Sequence, residues 1–186
     1  MNFLTFQNII TLSIVILSAI LLIYLTNTVA AEKIKGTVNN DNLNGTLNDD
    51  EIRGGKGNDT LIGLAGNDII RGMGGNDILI GSEGDDYIVG GDEADIAKGN
   101  GGDDQIEGNS GDDLIEGNGG DDTLFGGLGN DRLSGGDGND NLFGGPGRNS
   151  LSGGSGIDYF DCGFGKDKVL DFNFTEGDSR SVSCDD

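Results

Sequence analysis

Aspartate recurs every nine residues along most of this chain, from Asp41 and Asp50 to Asp158 and Asp167. Carboxylates in a regular array can ligate a hard cation, and closely paired carboxylates can act as general acid and base. Paired acids such as Asp121 and Asp122 follow the nine-residue spacing, and nothing in the sequence suggests a raised pKa for either. The array therefore predicts cation binding and not acid–base catalysis.

The aspartates belong to a nonapeptide repeat, shown by the consecutive units GGKGNDTLI, GLAGNDIIR and GMGGNDILI that begin at Gly54. The repeat runs without insertion from Gly36 to Leu170, which makes fifteen units. Within a unit the first residue is Gly and the sixth is Asp in fourteen cases each, and the eighth residue is always apolar. An uninterrupted period of this kind indicates a repeat architecture.

The composition limits the class of partner. The chain of 186 residues carries 33 acidic and 11 basic side chains and a formal net charge of −22. This charge argues against nucleic acid and anionic membranes as partners and favours cations. A disordered acidic linker would have a similar composition, but it would not need Asp and an aliphatic residue at a fixed separation of two.

The repeat predicts an all-β fold. Its first six residues, rich in Gly and Asn, favour a turn, and its last three favour a very short strand whose eighth-position side chain faces inward. Two units per coil place unit n on unit n+2 and stack parallel strands about 4.8 Å apart. The predicted fold is a parallel β-roll of about seven and a half coils, with a thin core of eighth-position side chains.

Such a roll aligns the aspartates in two columns of like charge that need a counter-ion. The chain has no histidine and only two cysteines, so the available ligands are oxygens. Ca²⁺ accepts six to eight oxygens in flexible geometry, whereas Mg²⁺ demands a strict octahedron and Zn²⁺ and Cu²⁺ prefer nitrogen or sulfur. We therefore expect Ca²⁺ between coils, held by aspartates of units n and n+2 and by carbonyls of the Gly-rich turns.

The units GGKGNDTLI, GGLGNDRLS and GGDGNDNLF resemble the RTX (hemolysin-type) calcium-binding nonapeptide, and the resemblance covers residues 36–170. It implies that the sixth-position aspartates ligate Ca²⁺ between successive coils. Seven n/n+2 pairs avoid the irregular units, so about seven or more ions are expected. The stretch KVLDFNFTEGD resembles a capping segment, which makes residues 171–186 a predicted C-terminal cap. The predicted ligands are Asp59, Asp68, Asp77, Asp86, Asp95, Asp104, Asp113, Asp122, Asp131, Asp140 and Asp158.

Four units depart from the pattern. Asn39 and Asn48 replace the fourth-position Gly in units 1 and 2, and Glu93 does so in unit 7. In unit 13 Arg148 stands beside Asn149, which replaces the sixth-position Asp. The seven pairs counted above avoid these four units.

Residues 1–31 carry no charged side chain and include the uncharged, mostly apolar run 9–25. Val29 and Ala31 fit the −3 and −1 positions of a signal-peptide cleavage site. No Lys or Arg precedes the run, and its 17 residues reach the lower limit for a membrane span, so an uncleaved anchor is the alternative. Either outcome predicts a secreted or surface-tethered protein with extracellular repeats, which contacts a membrane only if the segment is retained.

The two cysteines, Cys162 and Cys184, lie near the end of the chain. In an exported protein such a pair predicts one disulfide, with two free thiols as the alternative. The bond would hold the tail against the last repeat.

An enzyme is not expected, because the absence of histidine excludes HExxH zinc sites and Ser-His-Asp triads, and no GxSxG or GxxxxGK[ST] motif occurs. Residues 40–51 match the spacing of an EF-hand loop, but their flanks cannot form the required helices. The alternative function is adhesion to a cell-surface protein or polysaccharide through an outward apolar stripe. Its members occupy seventh and ninth positions and are Ile62, Ile78, Ile80, Ile96 and Leu114.

Overall fold

The computed structural model describes residues 31–181 and 183–184. The predicted signal peptide or membrane anchor lies almost wholly outside these residues and stays a prediction. Among the described residues, no helix has the length and hydrophobicity needed to cross a bilayer.

The described chain forms seventeen strands that alternate between two sheets. The nine-stranded sheet contains the odd-numbered strands in order and the eight-stranded sheet contains the even-numbered ones. The strands are β1 Lys33–Lys35, β2 Asn42–Asn44, β3 Glu51–Lys56, β4 Thr60–Ala65, β5 Ile69–Gly74, β6 Ile78–Glu83, β7 Tyr87–Asp92, β8 Ile96–Gly101, β9 Gln105–Ser110, β10 Leu114–Gly119, β11 Thr123–Leu128, β12 Arg132–Asp137, β13 Asn141–Phe143, β14 Ser150–Ser155, β15 Tyr159–Asp161, β16 Lys168–Val169 and β17 Ser179–Arg180.

Every strand pairs in parallel with the strand two further along the chain, as Leu61 does with Leu79. This register of two units per coil confirms the predicted parallel β-roll. β1 precedes the first predicted unit, and β17 lies within the predicted cap. β15 and β17 are offset by twenty residues (Tyr159 with Ser179) instead of eighteen, so the tail adds a last strand after a two-residue insertion.

Most strands are twice as long as the sequence predicted, because the ladder continues into the first three residues of the next unit. Leu64 and Ser82 pair across β4 and β6 although both have left-handed φ, 89° and 96°. The following turn is also bonded between coils, since the Gly66 amide donates to the Glu83 carbonyl at 3.0 Å. Equivalent residues follow the same path in every coil, so the turn amides find partners one coil away.

The core is a double row of eighth-position side chains. Twelve of them, from Ile52 to Leu151, are at most 2% exposed, and Ala97 occupies the row in unit 7. Phe160 and the partly buried Phe172 close the C-terminal end, with ring centroids 6.2 Å apart. A disulfide joins Cys162 to Cys184, as predicted, and ties the tail to the last repeat.

Seventh- and ninth-position side chains face outward, as predicted. On the eight-stranded sheet Ile78, Ile96 and Leu114 are aligned by register, and Ile78 is 39% exposed. The stretch 40–51, which has EF-hand spacing, lies in strands β2 and β3 and the turn between them.

Candidate metal sites in the aspartate columns

Each sixth-position aspartate lies in the turn directly before a strand and is bonded to the equivalent residue of the next coil. The backbone amide of Asp104 donates to Oδ1 of Asp122, and the amide of Asp122 donates to Oδ1 of Asp140, both at 2.8 Å. The same bond repeats along both sides of the roll, and all eleven predicted ligands are at most 3% exposed. The fold therefore assembles the predicted residues into two buried columns.

The second carboxylate oxygen of these residues has no hydrogen-bond partner among the described residues. Ten of the eleven predicted ligands, and also Asp167, have a fully buried Oδ2 atom of this kind. A buried acceptor left without a donor is expensive, and for a charged group the penalty exceeds the usual 1–3 kcal/mol or so. A row of such oxygens on successive coils is the arrangement expected for cation ligands. The ten are Asp59, Asp68, Asp77, Asp86, Asp95, Asp104, Asp113, Asp122, Asp131 and Asp140.

First-position glycines leave the space into which these oxygens point. A β-carbon added at Gly63 would lie 2.1 Å from Asp68 Oδ2 and 2.7 Å from the carbonyl oxygen of Gly81 in the next coil. At Gly117 the corresponding distances to Asp122 Oδ2 and the Gly135 carbonyl are 2.1 and 2.8 Å. Two acceptors from two coils thus border one small space with no side chain in it. Glycine at the first position is therefore required because a side chain would fill this space. Left-handed φ, the other reason for glycine, is confined mainly to the second and fourth positions.

Asn149, in place of the usual aspartate, shows what this space requires. Its Oδ1 accepts the Asp131 amide at 2.9 Å, as a column aspartate would. Its Nδ2 donates to the Gly145 carbonyl at 3.0 Å, so a partial positive charge stands where the other units have a bare Oδ2. Units with aspartate lack this donor. A cation would supply the missing positive charge.

The pKa values of the column aspartates also indicate that these carboxylates lack a positive partner. Burial raises the pKa of Asp86, Asp95, Asp104 and Asp140 from 3.8 to about 7. Hydrogen bonds from backbone amides oppose this rise, and neighbouring carboxylates of the same column add to it. The pKa values of Asp68, Asp77, Asp122 and Asp131 are raised to about 6, and those of Asp113 and Asp158 are raised as well.

From the repeat pattern alone no raised pKa is expected at Asp122, and that expectation is wrong. Desolvation of the sixth position raises the pKa of Asp122 to about 6. The apparent pair with Asp121 is not a functional dyad, because Asp122 is fully buried and Asp121 is exposed. The raised pKa values show that burial destabilises the charged form of these carboxylates.

The donor set fits a hard cation. Within the described residues no three acidic, histidine or cysteine side chains converge on one point. A cation beside Asp68 Oδ2 would therefore take much of its coordination from backbone carbonyls such as that of Gly81. Carboxylate and carbonyl oxygens in a site of this kind suit Ca²⁺.

At the N-terminal end of the columns the carboxylates find donors within the chain. In unit 2 the Thr46 amide donates to Asp50 Oδ2 at 2.5 Å, and in unit 1 the Thr37 amide donates to Asp41 Oδ2 at 2.6 Å. Neither Thr has the left-handed φ found at the second position of later units. Leaving units 1 and 2 out of the predicted ligand set therefore has a structural reason.

At the other end Asp178 joins a column although it lies outside the nonapeptide frame. Its Oδ1 accepts the Asp158 amide at 3.0 Å, and its Oδ2 accepts the Asn173 amide at 2.7 Å. Sequence reasoning missed this residue, and its only signal was a Gly177–Asp178 pair two residues out of register. Asp167 was also omitted, although its Oδ2 is buried and unpartnered like those of the predicted ligands.

The fifth position forms a second, exposed ladder that the sequence suggested was merely variable. The Asn139 amide donates to Asp121 Oδ1, and the Asp121 amide donates to Asp103 Oδ1, both at 2.8 Å. Here the side chain of one unit receives the amide of the unit two later, the reverse of the sixth-position direction. Asn serves in this ladder as well as Asp, since only Oδ1 is used.

These features define a calcium-type solenoid, and comparison with known families identifies it. The family model for the RTX calcium-binding nonapeptide repeat matches four times, at residues 35–70, 62–97, 98–133 and 134–169. The chain belongs to this family. The curated proteins compared with it include none that matches. RTX repeats stacked in a solenoid indicate a calcium-binding β-roll, a structural fold that is typically non-enzymatic, with Ca²⁺ as the expected partner. The repeats and the disulfide are consistent with an extracellular protein.

The raised pKa values predict that acid promotes folding of the metal-free chain. The folded-state pKa values of about 6 to 7 exceed the ordinary 3.8, so stabilisation is complete below about pH 3.8 and is lost as pH rises through 6 to 7. Circular dichroism of calcium-free protein should show β-structure appearing as pH falls below about 7. An equal amount of β-structure at pH 4 and at pH 8 would contradict this effect of burial.

Proposed function

We propose that this protein is a secreted or surface-tethered calcium-binding β-roll whose folding is driven by Ca²⁺ bound between successive coils. The observation that carries the proposal is the row of buried Oδ2 atoms without a donor, most of which face a carbonyl across the space left by a first-position glycine. The ligands in this proposal are the eleven predicted aspartates together with turn carbonyls. The expected number of ions is about seven or more.

When bound, Ca²⁺ supplies the positive charge that the Asn149 amide supplies in unit 13. The aspartates contribute one oxygen each to the cation, while their Oδ1 atoms keep the coils in register through the amide bonds. The first-position glycines keep the space open. The aspartate of one coil and the first-position glycines of that coil and the next thus form one site together.

The hydrophobic core is too thin to fold the chain unaided. Twelve eighth-position aliphatic side chains and Phe160 are buried, whereas folding must order the backbone of every residue in the glycine-rich repeats. Calcium at about ten times its Kd adds about 1.4 kcal/mol per site by linkage, or roughly 10 kcal/mol for seven sites. The ions therefore shift the balance from a disordered chain to a folded roll.

Secretion or tethering is supported by the apolar N-terminal run, the cleavage-site residues and the disulfide. Extracellular calcium modules commonly have Kd values of roughly 10⁻⁴–10⁻³ M. A chain of this kind would stay unfolded where calcium is scarce and fold where it is abundant.

Calcium titration tests the proposal directly. Far-ultraviolet circular dichroism at neutral pH should show a largely disordered chain in EGTA and β-structure in millimolar calcium, because only the ion removes the repulsion within the columns. Magnesium at the same concentration is the control and should be much less effective, since it demands stricter geometry. Equal β-structure in EGTA and in calcium would refute calcium-driven folding.

A matched pair of variants separates ligation from diffuse charge. Asp122→Asn keeps the Oδ1 acceptor for the Asp104 amide but removes a charged oxygen from a buried site. Asp121→Asn makes the same change in charge and keeps Oδ1 for the Asn139 amide, at an exposed position. Calorimetric titration should show weaker calcium binding and lower cooperativity for Asp122→Asn, by about tenfold or more at the affected sites. It should show little change for Asp121→Asn.

The outcome that contradicts the ligand assignment is an equal loss in the two variants. The columns would then attract calcium only through their summed charge. Normal calcium binding in both variants would instead remove Asp122 from the set of ligands.

A second candidate function, adhesion, is supported by the aligned apolar side chains on the eight-stranded sheet. Ile78, Ile96 and Leu114 are neighbours by register and point away from the core. The partner would be a cell-surface protein or polysaccharide. Ile78→Thr with Ile96→Thr keeps β-branched residues, so calcium-induced folding should persist while attachment of the purified protein to cell surfaces falls severalfold. Unchanged attachment would count against this face.

A further inference from the structure

One edge of the roll carries a basic cleft in an otherwise acidic molecule. The cleft has a volume of about 440 Å³ and lies beside the eight-stranded sheet near its C-terminal end. Three basic side chains, Arg132, Arg148 and Lys168, line it together with three acidic ones, Asp112, Asp113 and Asp131. We call this feature the basic cleft.

The three cations come from three successive coils. Arg132 begins β12 and is in register with Ser150 of β14, which is in register with Lys168 of β16. At a strand spacing of about 4.8 Å, the backbones of Arg132 and Lys168 are about 10 Å apart. Arg148 lies in the turn between them, where its backbone amide donates to Asn130 Oδ1 at 3.2 Å. The cleft thus presents an extended row of positive charge.

None of these three side chains makes an ion pair within the described part of the chain. Lys33, Arg53 and Arg71, by contrast, all approach Glu51, and Lys98 approaches Glu116. Although the chain has 33 acidic residues, these three cations line one concavity without an ion-pair partner among the described residues. They are available to an external anion.

The reversal of charge is specific to this edge. On the same edge Asp112 and Asp113 give way to Arg148 and Asn149 two coils later, and then Lys166 and Lys168 flank Asp167. The opposite edge stays acidic or neutral to its end, from Asp121 and Asp122 through Asn139 and Asp140 to Asp158. Proximity to the C-terminus therefore does not account for the change. Asn149 also closes its own site with the bond to Gly145, so this coil needs no calcium there.

We propose that the basic cleft binds a polysaccharide that carries repeated oxyanion groups, that is carboxylate, phosphate or sulfate. A guanidinium group binds an oxyanion through two parallel hydrogen bonds. Two arginines and a lysine spread over about 10 Å can bind several oxyanion groups of one polymer, which a single small anion does not offer. The concave shape favours a chain over a flat bilayer. The proposal rests on the proposed function, because calcium must first neutralise Asp113 and Asp131 and reduce the net charge of −22.

The test compares two double variants of the full chain in millimolar calcium. Arg148→Asn with Lys168→Ser removes two charges from the basic cleft and introduces residue types found at the same positions in neighbouring units. Lys35→Ser with Lys56→Ser removes two charges from exposed lysines at the far end, which also lack ion pairs within the described chain. Binding of dextran sulfate, measured by calorimetry, should weaken by about tenfold or more in the cleft variant and by less than about twofold in the control.

Three further measurements decide what the cleft recognises. Inorganic sulfate should bind far more weakly than dextran sulfate, and equal affinity per sulfate would overturn the inference of a polymer. Vesicles containing phosphatidylglycerol should not bind through the cleft, and vesicle binding that only the cleft variant loses would replace the polysaccharide with a membrane. Equal losses of dextran sulfate binding in the two double variants, or no loss in either, would overturn the cleft as a site.

Circular dichroism of the same samples keeps the two proposals apart. If the β-structure is already complete in EGTA, calcium-driven folding fails, whereas the roll and its cleft are still formed and the difference between the two double variants still decides the cleft. If calcium induces β-structure in all three proteins and only the cleft variant loses dextran sulfate, both proposals stand.

Discussion

The structure depends on one constraint, which is that a buried carboxylate oxygen on nearly every coil must find a positive partner. The fold buries Asp122 completely and uses its Oδ1 to bond the coil before it, which leaves Oδ2 facing a carbonyl across an empty space. Other recurrent features follow from this arrangement. First-position Gly provides the space, two repeats per coil align the oxygens, and the oxygens favour a hard cation.

The places where the column is satisfied without a cation support this interpretation. Thr46 turns its amide toward Asp50, Asn149 uses its own amide group, and Asn173 donates to Asp178. Each of these residues departs from the repeat. Each supplies a neutral donor where the regular repeat has none. The carboxylates at the N-terminal end of the roll and at Asp178 therefore have donors within the chain, and the disulfide adds a covalent link at the C-terminal end.

Outward positions are free of this constraint, and they are where the chain varies. The seventh and ninth positions include aligned isoleucines on one sheet and stacked Phe125 and Phe143 on the other, with ring centroids 4.8 Å apart. The ladder of the fifth position uses a side-chain Oδ1 atom as acceptor and a backbone amide as donor. Arg148 has no such oxygen, but its backbone amide still donates to Asn130 Oδ1. Substitutions at these outward positions therefore leave the aspartate column undisturbed.

The sequence by itself determined the architecture and the ligand type, because an uninterrupted period of nine with one inward aliphatic residue has few solutions besides two units per coil. It also identified ten of the buried, unpartnered aspartates and the disulfide. Only the tertiary structure decided the six-residue strands, the spatial need for first-position Gly, the raised pKa of Asp122 and the membership of Asp178 in a column. The physical reason is common to all four: each depends on contacts between coils eighteen or twenty residues apart, which a single nonapeptide does not contain.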